Sequence, residues 1–156
     1  MAISPQMQTR LDSIDALAKN GYTIQKEFGA FPVLTSANGS KKPINIFSNP
    51  AGFSWIGFFF PFAVCAQIKE WSYFYVSGSI LFLASIVSSV VHVNLSNASS
   101  ITIAVMYGMY FPYLRYLARE RNVEEVSVGL SILIGLLLAL VAAIPSIIVD
   151  YNATTY

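Results

Sequence analysis

An all-α integral membrane protein is the fold class this sequence predicts, and three observations predict it. Hydrophobic residues make up 55% of the 156 residues and charged ones only 11%, where a soluble domain of this size carries about 25% charged residues. Three runs, 43–68, 71–114 and 126–149, contain no Lys, Arg, Asp or Glu. A helix needs about 20 apolar residues to cross a bilayer, so the middle run has room for a hairpin of two helices and the last for a third. The remaining observation is where the nine basic residues fall. If 53–68 lies in the interface or re-enters, Arg10, Lys19, Lys26, Lys41, Lys42, Lys69, Arg115, Arg119 and Arg121 share one side. The loop after His92 and the tail after Val149 then carry no basic residue. The positive-inside rule puts the N-terminus in the cytoplasm and the C-terminus outside.

The chain divides into a cytoplasmic N-terminal region, 1–52, and a membrane domain, 53–156. Residues 4–20 read as an amphipathic helix, with Ser4 as N-cap, Pro5 at the first helical position and Asn20-Gly21 as a stop signal. Met7, Leu11, Ile14 and Leu17 fall on one face, while Arg10, Asp12, Asp15 and Lys19 fall elsewhere. A polar face of mixed sign favours docking on protein over docking on lipid. Residues 21–52 are punctuated by Gly21, Gly29, Pro32, Asn38-Gly39, Pro43 and Asn49-Pro50. Phe28, Phe31, Val33, Ile44, Ile46 and Phe47 make this stretch too apolar for a free linker. It is expected to be ordered, with a short hairpin turning at Asn38-Gly39.

Residues 53–68 are aromatic-rich, interrupted by Pro61 and flanked by Trp55 and Trp71. They read either as a kinked interfacial helix or as a re-entrant element lining a cavity. Three spans follow, at about 73–92, 101–117 and 123–149. Asn122-Val123-Glu124-Glu125 has the pattern of a capping box at the start of the last span. Trp55, Trp71, Tyr113 and Tyr116, with Arg115 and Arg119, read as interfacial anchors.

Two patterns inside the spans carry candidate interactions. Ser127, Ser131, Gly135, Ala139 and Ala143 recur every four residues, a ladder of small side chains that lets helices approach closely, within the chain or between chains. Ser77, Ser85, Ser88, Ser89 and His92 form a polar face on the first span. It reads either as a pore wall or as hydroxyls satisfied on backbone carbonyls. Apart from Arg115, Glu124 and Glu125 near their ends, the spans contain no Asp, Glu, Lys or Arg, which argues against a transporter or a proton channel.

Other chemistries find little to build on. A net charge of +1 suggests no nucleic-acid partner. The lone Cys65 excludes an intramolecular disulfide and a Cys-rich metal site, and zinc would want three or four protein ligands. His92 could ligate haem only with a second donor such as Met106 or Met109. No cofactor, no metal and no catalytic constellation of nucleophile, base and orienter is expected. The polar first 42 residues predict no cleavable signal peptide.

Two stretches resemble a family of small bacterial membrane proteins of unknown function, DUF2628. One is the aromatic entry, Phe53-Ser-Trp-Ile-Gly-Phe-Phe-Phe-Pro-Phe62, running into Ile68-Lys-Glu-Trp71. The other is the basic stretch 110–121, with its Tyr-Leu-Arg-Tyr-Leu-Ala-Arg core. The resemblance covers the central half of the chain and implies a bacterial inner-membrane location, without an activity or catalytic residues. The long polar N-terminal region and the strongly hydrophobic last helix depart from that pattern. The expected function is an accessory or structural subunit of a larger membrane complex, not an enzyme, with lipids and other membrane subunits as partners. A homo-oligomeric pore is the alternative.

Overall fold

The computed structural model describes residues 4–44 and 49–154, the side chains of 152–154 excepted. Ile46 and Phe47, expected to belong to the ordered N-terminal stretch, lie outside the described residues. The elements are α1 (Pro5–Lys19), β1 (Thr23–Glu27), β2 (Phe31–Thr35), β3 (Lys41–Pro43), α2 (Trp55–Phe59), α3 (Pro61–Gln67), α4 (Ser72–Val91), α5 (Ser96–Glu120) and α6 (Val128–Thr154).

Helix α1 forms as its sequence directs. The Ser4 hydroxyl accepts the Met7 N–H at 3.3 Å, Pro5 occupies the first turn, and Met7, Leu11 and Ile14 are buried. The three strands make an antiparallel sheet of order β1-β2-β3, which corrects the all-α expectation. Thr23 lies opposite Thr35 and Glu27 opposite Phe31, while Lys41 lies opposite Thr35 and Pro43 opposite Val33. The second hairpin turns through Asn38-Gly39, where Gly39 has φ +80°. Pro32 sits in the central strand because β3 stops opposite Val33, so the missing N–H interrupts no ladder on that side. The strands exist because β2 offers Pro32, Val33 and Leu34 to a common core, a tertiary gain that 3- to 5-residue strands do not announce in sequence.

Helices α4 and α6 are long and apolar enough to cross a membrane, with mean hydropathies of 2.0 and 2.9. Large apolar residues dominate their exposed surface, among them Leu83, Val87 and Val90 on α4 and Leu133, Leu137, Leu140 and Ile147 on α6. They run parallel: Gly78 abuts Ala142, and further along Ser88, Ser89 and His92 share a recess with Asp150. Helix α5 has 25 residues but does not meet the same test of apolarity. Its C-terminal half is clothed by protein instead, and Tyr107, Phe111, Tyr113, Leu114 and Tyr116 are all buried.

The core therefore lies at one end of the bundle. Met7, Leu11 and Ile14 of α1, Leu34 of β2, Val64 and Cys65 of α3, and Tyr73 and Phe74 of α4 surround that half of α5. The core runs across residue 52 without a break. The last helix starts later than expected, at Val128. Asn122 instead closes α5, in the left-handed region at φ +51°, with the Val123 N–H bonded to the Ala118 carbonyl. Asn tolerates that conformation, and Glu125 is drawn away from a helix start by Arg115.

Candidate functional site

The aromatic segment 53–68 becomes two short helices, five and seven residues long. They span about 8 and 11 Å, far short of the roughly 30 Å of a hydrocarbon core. The break falls at Phe60-Pro61, since proline has no N–H and favours a first helical turn. The segment enters beside α1 and α5: Arg10 Nη2 donates to the Phe53 carbonyl at 2.6 Å, and the Ser54 N–H to the Gly108 carbonyl at 2.7 Å. It then reaches α6, and it leaves where the Val126 N–H donates to the Gln67 carbonyl at 2.9 Å.

Glycines make these close approaches possible. A Cβ on Gly57 would stand 2.8 Å from the Phe111 Cβ, and one on Gly135 would stand 2.5 Å from the Phe62 carbonyl oxygen. Helix α2 and the following Phe60 also present a ledge of Trp55, Ile56, Phe59 and Phe60, each more than half exposed. Its rings brace one another. Trp55 stacks on Phe59 with centroids 6.0 Å apart, and Phe58 meets Phe59 edge-on at 4.9 Å.

Charged groups gather around the same end. Lys26 of β1 pairs with Glu70, just before α4, and both side chains are about nine-tenths buried. The Ser72 hydroxyl donates to the other Glu70 oxygen. Arg115 pairs with Glu125 at 2.7 Å, and Arg119 Nη2 reaches both oxygens of Asp15 at 2.8 and 2.9 Å. Asn49 and Tyr113 close the entry: the Tyr113 hydroxyl donates to Asn49 Oδ1 at 2.9 Å, and Asn49 Nδ2 donates to the Met109 carbonyl. Cys65 is fully buried, and burial, with the Glu70 carboxylate second, pushes its thiol well above the usual range.

The small-residue ladder is placed inside the chain. Ser131 is buried with its hydroxyl on the Val128 carbonyl, Gly135 meets α3, and Ala139 packs against the core. Beyond that the contact drifts from the Ala143 row toward Ala142 against Gly78 and then to buried Ser146, while Ser127 is exposed. The drift follows from 3.6 residues per turn, which carries a four-residue row slowly round the helix.

The serine face of α4 makes local bonds. Ser77 and Ser89 donate to the Phe74 and Ser85 carbonyls, the Ser88 hydroxyl accepts the Leu95 N–H, and Ser85 is buried. Ser88, Ser89 and His92 also line a recess of about 500 Å³ with Asn94, Ser96 and Asp150. His92 ends α4 in the left-handed region, whereas Met106 and Met109 pack on the core, about 15 and 20 Å along α5 from Ser96. Among the described residues no group of three His, Cys, Asp or Glu is disposed to hold a metal ion.

Of the expected anchors, Trp55 and Trp71 are exposed, but Tyr113 and Tyr116 are core residues. Arg115 and Arg119 are occupied by carboxylates. Aromatic rings beside arginines fit both a membrane boundary and a domain interface, so sequence could not separate the two. The Lys26–Glu70 pair was missed because 44 residues separate its partners. No protein-family model, curated protein or solved structure matches the chain.

Proposed function

We propose that this chain is an accessory or structural subunit of a larger membrane assembly. In this reading it crosses a bacterial inner membrane three times, with its N-terminus cytoplasmic and its C-terminus outside. Parallel α4 and α6 support the crossing number, because a chain that leaves by α4 must return before α6 begins, and α5 makes the return. Protein cover over half of α5 relieves it of the apolarity a lipid-facing helix needs. The ion pairs of Lys26, Arg115 and Arg119 with Glu70, Glu125 and Asp15 support one basic, cytoplasmic end.

The observation that carries the functional reading is the exposed ledge of Trp55, Ile56, Phe59 and Phe60. Its braced rings lose little side-chain freedom on docking, and large aromatic residues dominate interface energetics. On α6, Gly135 of the ladder packs against Phe62 of α3, and Ala142 beside it against Gly78 of α4, which supports packing within the chain. For the pore alternative, local backbone bonds of Ser77, Ser88 and Ser89 give those hydroxyls a packing role that needs no pore.

Native-level affinity purification in mild detergent, with mass spectrometry of intact complex and components, tests the proposal. Stoichiometric foreign subunits are expected with the unaltered chain and are lost with Trp55→Ala/Phe59→Ala. A tagged chain that is always alone overturns the proposal. A pure homo-oligomer that makes vesicles leak would establish the pore instead.

A further inference from the structure

The β1–β2 connection places an aromatic ring where the backbone disfavours it. The Ala30 N–H bonds to the Glu27 carbonyl at 3.1 Å, closing a tight turn whose central residues, Phe28 and Gly29, have φ +51° and +71°. A turn with positive φ at both central residues favours Asn-Gly or Asp-Gly. A Cβ resists the left-handed region, and a short polar side chain compensates by bonding locally. Phenylalanine has no such compensation. Phe28 is 90% exposed, the highest value among the exposed large apolar residues described.

The position of the turn says what covers that ring. A Cβ on Gly29 would lie 3.7 Å from the Tyr75 hydroxyl, so the tip stands beside the first turn of α4. Tyr75 and Trp71 are themselves 55% and 46% exposed at the base of that helix, as belts of aromatic residues are at a membrane boundary. Lys26 ties the hairpin down through Glu70, and Glu27 is matched by Lys41. The charges flanking the tip are thus paired, which lowers the cost of approaching lipid.

We propose that the Phe28-Gly29 tip dips into the bilayer, with the Phe28 ring at the border between headgroups and acyl chains, in the leaflet that holds Trp71 and Tyr75. Lipid is the occupant because the tip continues the exposed aromatic belt of α4. The hairpin is then a second membrane attachment for the sheet, separate from the core contacts. The inference rests on the reading that α4 spans.

The test uses the full chain in phosphatidylcholine vesicles whose lipids carry bromine near the headgroup or near the bilayer centre. Phe28→Trp is made with Trp55→Phe and Trp71→Phe, so that it is the sole tryptophan, and Phe82→Trp in α4 serves as control. Shallow bromines are expected to quench Phe28→Trp more than deep ones, with acrylamide quenching weakly. No bromine quenching at Phe28 while Phe82→Trp is quenched overturns the inference, and shielding from acrylamide as well would mean that protein covers the ring. Loss of quenching at Phe82→Trp would instead remove the spanning reading of α4. Phe28→Asn gives an independent sign. Asn suits the turn, so a tip in water predicts slower amide exchange in β1 and β2. A lipid-held tip predicts faster exchange in bilayers, by about tenfold for the partial burial of one phenyl ring.

Discussion

Replacing Gly135 with alanine separates packing within the chain from packing between chains. The added Cβ would lie 2.5 Å from the Phe62 carbonyl oxygen and 2.9 Å from its carbon, where ordinary contact begins at 3.4 Å. Helix α6 must therefore retreat from α3 by about 0.9 Å, the difference between 3.4 and 2.5. The obstacle is backbone, held at both ends by Pro61 and by the Gln67–Val126 hydrogen bond, so a rotamer change cannot absorb it. Overpacking of this kind costs about 1–3 kcal/mol. Gly129, in the same helix, has nothing within 4 Å of its Cβ position. Gly129→Ala is expected to be neutral or to gain up to about 1 kcal/mol of helix propensity. Unfolding of both variants by titrating a denaturing detergent into mixed micelles, followed by fluorescence, measures the gap directly. Gly135→Ala unfolding at or above the Gly129→Ala midpoint would refute the packing argument. A folded Gly135→Ala chain that merely leaves its complex would show that the contact lies between chains.

Three further outcomes are expected. Glu70→Gln strands the buried Lys26 ammonium and should destabilise the fold by about 3 kcal/mol in the same titration, with Lys26→Met/Glu70→Met recovering most of the loss; equal stability of Glu70→Gln and the unaltered chain would show the pair to be idle. Cys65 should resist maleimide in the folded protein as pH rises from neutral to mildly alkaline, because its raised pKa keeps the thiol protonated there. The unfolded chain should label faster over the same range, and rapid labelling of the folded form would contradict the burial. Reporters fused after Lys42, Lys69 and Arg121 should share one compartment, with those after Ser96 and Tyr156 in the other; a Lys69 reporter that sides with Ser96 would mean that the aromatic segment crosses.

Hydrophobic periodicity and charge determined much of this protein from sequence. The α1 stripe, the Ser4 cap, the turn at Asn38-Gly39 and the two apolar helices were legible because each depends on residues close together in the chain. The exclusion of charge from the apolar runs was legible for a similar reason, since it is read along the chain. Only the tertiary structure decided the rest. The sheet depends on a core that α1, α3, α4 and α5 complete jointly. Tyr113 and Tyr116 look like boundary anchors until the N-terminal region is seen to cover them, and Asn122 reads as an N-cap until Arg115 claims Glu125. That Gly135 of the small-residue ladder meets the carbonyl of Phe62, 73 residues away by their numbers, has no trace in the local pattern. Such contacts pair residues distant in the chain, and local pattern carries no record of them.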